Sequence, residues 1–268
     1  FSDLNLQEAV TYYANVKALD LAGNESEVVS GDGITIDQSG PIPGSISDGD
    51  AADIDWVNIN YLSVGNWTGF TDSLSGIGEY EYSLGLAPGQ TQVVSWTSAN
   101  LDTAITVSAS LTEGPTYYAN VRAVDSVSNV GGLISSDGFG LDVSAPITGN
   151  VYDGLGDDLT WTNITDSIWA NWEGFSDLYS GISFYETAVG TSPGGQNTVS
   201  WVSADTNITT THAELSLEHG STYYFSVRAT DVVENVSSPG MSNGITIDTL
   251  SPVINLMAEA SSEDPLFQ

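Results

Sequence analysis

Cysteine is absent and basic residues nearly so: the 268 residues include three Lys or Arg against 35 Asp or Glu, a formal net charge of −32. Without cysteine there is no disulfide scaffold, no Cys-ligated zinc and no thiol catalysis. With three cations the chain cannot grip a phosphate backbone, because nucleic-acid affinity comes mainly from Lys and Arg. It also lacks the basic cluster that docks on an anionic bilayer. No apolar run approaches the roughly 18 residues of a membrane span, so no membrane insertion is expected. What the chain does have is 7 Trp, 12 Tyr and 7 Phe. These can bury enough apolar surface to offset ordering entropy, so an acidic but folded protein is expected.

Self-similarity organises the rest. Thr11-Tyr-Tyr-Ala-Asn-Val-Lys-Ala-Leu-Asp20 returns as Thr116-Tyr-Tyr-Ala-Asn-Val-Arg-Ala-Val-Asp125 and as Thr222-Tyr-Tyr-Phe-Ser-Val-Arg-Ala-Thr-Asp231, a period of about 105 residues. Trp67-Thr-Gly-Phe-Thr-Asp72 matches Trp172-Glu-Gly-Phe-Ser-Asp177, and Val94-Ser-Trp96 matches Val199-Ser-Trp201. Gly33-Ile-Thr-Ile-Asp37, Gly138-Phe-Gly-Leu-Asp142 and Gly244-Ile-Thr-Ile-Asp248 each close a unit, and a proline-bearing joint follows. The expected organisation is the last third of one repeat (1–38), two whole repeats (39–143 and 144–249), and the start of another repeat or a linker (250–268). The chain reads as an excerpt from a longer array, which accounts for the lack of a signal-peptide pattern at its start. Within a repeat, apolar residues alternate with period 2 between Asp-Gly, Pro-Gly and Gly-Gly turns, which predicts short half-buried strands and an all-β sandwich.

Leu111, Gly114, Tyr117, Val121 and Ala123, repeated as Leu217, Gly220, Tyr223, Val227 and Ala229, resemble the E–F corner and strand F of a fibronectin type III domain. The first unit keeps Leu6 and Tyr12 but has Ala9 at the glycine position. Trp67 and Trp172 resemble that family's strand B tryptophan, and Tyr80 and Tyr185 its strand C tyrosine. The combined pattern resembles repeats of very large bacterial surface and secreted proteins. The resemblance implies tandem immunoglobulin-like (fibronectin type III) β-sandwiches in an extended array, with a structural, spacing or adhesive role at the cell surface or outside the cell. Its partners would be neighbouring repeats, other copies in a filament, or a glycan. A spacer attached to a secreted degradative enzyme and a carbohydrate-binding module are the alternatives. The high negative charge discourages self-association and suits saline surroundings, where the Debye length shrinks from about 10 Å at 0.1 M to about 3 Å at 1 M salt.

No catalytic constellation is legible. The two histidines, His212 and His219, have no histidine at the matching places of the preceding repeat and read as solvated loop residues. Calcium is the one cofactor the composition suggests. Asp48, Asp50, Asp53 and Asp55 crowd one turn, answered by Asp153, Asp157 and Asp158 a repeat later; Asp32, Asp37, Asp137 and Asp142 precede the joints. Calcium takes six to eight hard oxygens, and a compact joint would let carboxylates converge. The other reading, also open, is that these are Asx-turn residues and solvated acids. Trp169 has Val64 at the matching place and is the candidate for an exposed aromatic contact. Five sequons, at Asn24, Asn66, Asn163, Asn207 and Asn235, permit glycosylation in a suitable host. Lys17, Arg122 and Arg228 share one outward position on the Tyr-Tyr strand. With strand C beside it, ion pairs Arg122–Glu81 and Arg228–Glu186 are expected.

Overall fold

The computed structural model describes residues 4–49, 52–59 and 61–254, with the side chains of 61–64 left aside. No helix occurs among the described residues. The chain divides into two compact units, Phe1–Ser144 and Ala145–Gln268.

Unit 1 begins with two short hairpin ladders: β1 (Thr11–Tyr12) pairs with β4 (Ile34–Thr35), and β2 (Asn15–Val16) with β3 (Val29–Ser30). A complete sandwich follows. Its smaller sheet has the order β10–β7–β5, built from β5 (Ser45–Ser47), β7 (Tyr61–Thr68) and β10 (Ala104–Ser108). The larger sheet has the order β6–β13–β11–β8–β9, from β6 (Trp56–Val57), β8 (Ile77–Gly85), β9 (Val94–Asn100), β11 (Thr116–Asp125) and β13 (Phe139–Leu141). β12 (Ile134–Ser135) also pairs with β11. All pairings are antiparallel except β6 with β13.

Unit 2 repeats this plan. β14 (Asn150–Asp153), β16 (Ile168–Glu173) and β19 (Thr209–His212) form one sheet. β15 (Trp161–Thr162), β17 (Ile182–Gly190), β18 (Val199–Asp205), β20 (Thr222–Asp231) and β22 (Ile245–Ile247) form the other, and β21 (Gly240–Met241) pairs with β20. Two facing sheets of these strand orders, about 100 residues per sandwich, make each complete repeat a fibronectin type III-like β-sandwich.

The cores follow from period-2 alternation. On β20, Tyr223, Phe225, Val227 and Ala229 face inward and are buried, and on β16 so do Ile168, Ala170 and Trp172. Trp172 meets Tyr185 edge-on at 5.6 Å, and Phe175 meets the same ring at 5.6 Å. Trp67, Phe70 and Tyr80 repeat the arrangement at 5.8 and 5.4 Å. The corner tyrosines are pinned at their hydroxyls. Thr112 N–H donates to Tyr117 Oη (2.8 Å), Glu218 N–H to Tyr223 Oη (3.0 Å) and Gln7 N–H to Tyr12 Oη (3.0 Å). Ala9 adopts φ +59°, in the left-handed region that Gly114 (+107°) and Gly220 (+79°) also occupy. The alanine thus keeps the corner. A Cβ added at either glycine meets nothing within 4 Å, so the cost is backbone strain alone.

Candidate functional site

The acids grouped by sequence separate into two kinds of cluster. Asp37, at the end of the first partial repeat, joins Asp72 and Asp125, with one carboxylate oxygen of each within 4.8 Å of the others. Asp37 Oδ2 accepts from Ser75 N–H (3.0 Å), and its carbonyl accepts from Asn129 Nδ2 (3.2 Å). Asp72 Oδ1 takes the N–H groups of Leu74 and Gly76. Asp125 Oδ1 takes those of Val127 and Asn129, while its Oδ2 takes Asn129 Nδ2. The N–H donors hold the Asp125 carboxyl below its ordinary range against the opposing effect of burial. The Asp125 loop recurs as Asp231 with Val233 and Asn235, and as Asp20 with Ala22 and Asn24. Asp142, Asp177 and Asp231 repeat the spacing in sequence, and Asp177 Oδ1 likewise takes two N–H groups, from Tyr179 and Gly181. Asp37, Asp72 and Asp125 are the residues able to hold a hard cation here. Three carboxylates fall short of the six to eight ligands calcium takes unless both oxygens, carbonyls or water contribute.

The second cluster is Asp48, Asp53 and Asp137. Asp48 is fully buried; its N–H donates to Asp53 Oδ1 and its Oδ2 accepts from Gly138 N–H at 3.1 Å. In unit 2, Asp153 N–H donates to Asp158 Oδ1 and Asp153 Oδ2 accepts from Gly244 N–H at 2.9 Å. There Asn243 stands in the place of Asp137 and donates to Asp158 Oδ2 at 2.8 Å. Both buried aspartates have an Oδ1 without a well-formed hydrogen bond. Burial is the main cause that pushes each up to about 6. The state of Asp48 is therefore shared by a site with three carboxylates and by one with two carboxylates and an amide. That traces it to the sandwich itself, since the aspartate ties the first strand's turn to the glycine before β13 or β22. Of the other sequence candidates, Asp32 and Asp157 are exposed and Asp142 Oδ1 accepts from Ser144 N–H. Asp50 lies outside the described residues.

Two of the three basic residues, Arg122 and Arg228, are held on the outer face of the larger sheets. Arg122 on β11 stands opposite Glu81 on β8 and donates from Nε to Glu81 Oε2 at 2.7 Å. Its guanidinium also reaches across β8 to lie over Trp96 of β9, 4.3 Å from the ring centroid. Arg228, Glu186 and Trp201 repeat this at 2.7 and 4.5 Å. A planar guanidinium can donate from its edge while stacking on its face, which an ammonium cannot. The tryptophan contact was not legible in sequence, because it joins strands that are not neighbours. Lys17 pairs with Glu25 at 2.8 Å, and both are more than half exposed. Each half-buried ion pair contributes up to about 1 kcal/mol, and each stack about 0.5–2 kcal/mol. Arg228→Ala is expected to lower the stability of unit 2 by about 1–2 kcal/mol. Arg228→Lys should recover less than half of that. Urea unfolding of Arg228→Ala, Trp201→Ala and the double variant checks it, and strictly additive losses would deny the stack any role.

The remaining candidates resolve into packing. Trp169 is half-buried on β16, whereas Trp161, on the edge strand β15, is 61% exposed. Its counterpart Trp56 is half-buried, its ring lying where a Cβ on Gly140 would come within 2.4 Å, and unit 2 has Thr246 at that position. His212 is not a solvated loop residue. It lies on β19, stacks on Phe225 at 5.7 Å and is bonded to Thr187, and burial lowers its pKa. His219 is the loop histidine, with Nδ1 accepting from Thr249 N–H.

No protein-family model matches the chain, and no curated protein does. Among solved structures, it is similar to domains A168–A170 of titin (17% identity, 89% of this chain and 75% of that one, TM-score 0.48). It is similar also to the FN1–FN3 domains of chicken CNTN1 (15%, 88% and 75%, 0.42). A third is the fibronectin(III)-like modules of Clostridium thermocellum CbhA (15%, 76% and 94%, 0.40).

Proposed function

We propose that this chain is a non-enzymatic structural or adhesive repeat region of a large secreted or cell-surface protein, spacing or presenting its other parts and transmitting force between them. The observation that carries the reading is the joint inside unit 1. Asp37 closes one repeat and accepts the Ser75 N–H of the next, while Asn129 donates to its carbonyl. Gly40 approaches the backbone so closely that a Cβ there would lie 2.4 Å from the Val130 carbonyl oxygen. Side-chain and backbone contacts thus replace a free linker, so one repeat orients the next. The uniform negative charge keeps neighbouring copies apart unless a specific edge or ion joins them. Secretion, fibre assembly and attachment to a degradative enzyme are variants of the same role, separated by the flanking sequence.

Pulling on the two termini tests it. Two separate rupture events are expected, each lengthening the chain by about 300–350 Å at 3.3–3.6 Å per released residue. Continuous lengthening at low force would overturn the force-transmitting role. A carbohydrate-binding reading is favoured by one observation, the exposed ring of Trp161. A glycan array with the parent and Trp161→Ala decides it, and absence of binding removes that reading.

A further inference from the structure

The turn before β22 holds the chain's one Asn-Gly dipeptide, Asn243-Gly244. The fold demands the glycine. Gly244 sits at φ +97°, and a Cβ there would come within 2.6 Å of the Tyr224 ring and 2.9 Å of the Thr222 methyl group. Gly33 and Gly138 are confined in the same way at the matching places, but aspartate precedes each of them, as Asp32 and Asp137. Asparagine is a thermolabile residue, and most so before glycine, whose unshielded main-chain nitrogen can reach the side-chain carbonyl carbon. Asn243 is exposed, so water has access to it.

We propose that Asn243 is a self-modification site, gated by the fold, at which the side-chain amide is lost and an acid is formed. The Gly244 nitrogen attacks Asn243 Cγ. The N–Cγ bond forms, the Cγ–Nδ2 bond breaks, and ammonia leaves with the proton of the attacking nitrogen. Water then opens the five-membered imide at either carbonyl, giving aspartate or isoaspartate, whose main chain runs through Cβ. In the closed fold both nitrogens are restrained. Gly244 N–H donates to the buried Asp153 Oδ2 at 2.9 Å, and Asn243 Nδ2, the leaving nitrogen, donates to Asp158 Oδ2 at 2.8 Å. The main chain is fixed on either side. Ser242 N–H donates to Phe225 O at 3.0 Å, the Ser242 hydroxyl accepts from Phe225 N–H at 2.9 Å, and Ile245 pairs with Tyr223. Attack therefore waits until the turn lets go of Asp153, and the reaction follows local opening. Its products do not revert. Aspartate at 243 sets a third carboxylate beside Asp153 and Asp158, as Asp137 stands with Asp48 and Asp53, and puts a like charge where a donor had been. Isoaspartate lengthens the main chain by one atom just ahead of Ile245 and Ile247, both 0% exposed.

The test incubates the full chain at mildly alkaline pH, folded and in unfolding urea, and follows each asparagine by peptide mass spectrometry with isoaspartate separated by chromatography. In urea, Asn243 is expected to be modified before any other asparagine. Folding should slow it by about 100-fold or more. Asp153→Ala, which removes the acceptor of the Gly244 N–H, should speed the folded chain's reaction by about 10-fold or more, the worth of a hydrogen bond to a charged group. Asp153→Asn, which keeps an acceptor there, should stay near the parent rate. Should Asp153→Ala not fold, the parent's folded and unfolded rates still decide the matter. Another asparagine reacting first in urea, or no reaction at Asn243 there, overturns the site. Equal rates in the folded and unfolded chain overturn the gate. A faster reaction in the folded chain overturns it too, and would make Asp153 a base that takes the Gly244 proton.

Discussion

Trp172→Ala is expected to destabilise unit 2 by about 3–5 kcal/mol, the range for removing a large aromatic from a packed core. The indole is 1% exposed and belongs to the buried cluster of unit 2, edge-on to Tyr185. Since domains are commonly stable by about 5–15 kcal/mol, the loss takes unit 2 to the margin of folding. Urea unfolding followed by amide exchange should show the transition of residues 145–249 move to much lower denaturant while residues 39–143 keep theirs. Trp67→Ala should do the reverse. Both indole Nε1 atoms are buried without a hydrogen-bond partner. A buried unsatisfied donor costs about 1–3 kcal/mol, so the phenylalanine variants should lose far less than their volume suggests. Equal losses for Trp172→Phe and Trp172→Ala would show that the indole, not aromatic volume, holds the core.

Asp153→Asn is expected to stabilise unit 2 at pH 7.5 and to be nearly neutral at pH 4. Burial raises the folded-state pKa of Asp153 from 3.8 to about 6, with the charge of Asp158 adding to it and Ser242 and Gly244 opposing it. Between about pH 4 and 6 the folded state therefore binds a proton that the unfolded state has released. Stability contributed by this group falls as pH rises through that window and is flat above it, by up to about 3 kcal/mol for two pKa units. The amide cannot ionise, yet still accepts from Gly244 N–H. A gain of about 1–3 kcal/mol at pH 7.5 is expected, measured by urea unfolding at both pH values. Asp48→Asn should behave alike in unit 1, where burial is again the main cause and Asp53 and Asp137 add to it. A loss of equal size at pH 4 and 7.5 would show that these aspartates are ionised and structural in the fold.

Much of the sandwich is legible in the chain because its two rules are local. Period-2 alternation sorts Tyr117, Ala119, Val121 and Ala123 inward, and Arg122 outward. A repeat of about 105 residues then places Arg122 and Arg228 at equivalent sites. The site was less legible because its contacts are set by three-dimensional closure. Sequence proximity groups Asp37 with Asp32 and the Asp48 turn; folding sends it to Asp72 and Asp125 instead. Trp96 reaches Arg122 only because a guanidinium spans an intervening strand. Trp161 is exposed beside Thr246 on the neighbouring strand, where the other sandwich has Gly140 beside Trp56, a difference that no periodicity in Trp161 itself reveals.

Among the described residues, each sandwich has one parallel pairing, and it has a mechanical consequence. β6 runs beside β13, with Gly140 N–H on Asp55 O and Asp142 N–H on Val57 O, both at 2.8 Å. β15 runs beside β22 with the same two bonds, at 2.9 and 2.8 Å. The first of these strands lies near the start of its repeat and the second at its end. Tension applied through the ends of a repeat pulls the two strands in opposite directions along their own axes. Both bonds are then sheared at once, where an antiparallel hairpin pulled from its open end would unzip them one by one. Resistance of this kind depends on the direction of loading, whereas heat and urea load the bonds along no direction at all.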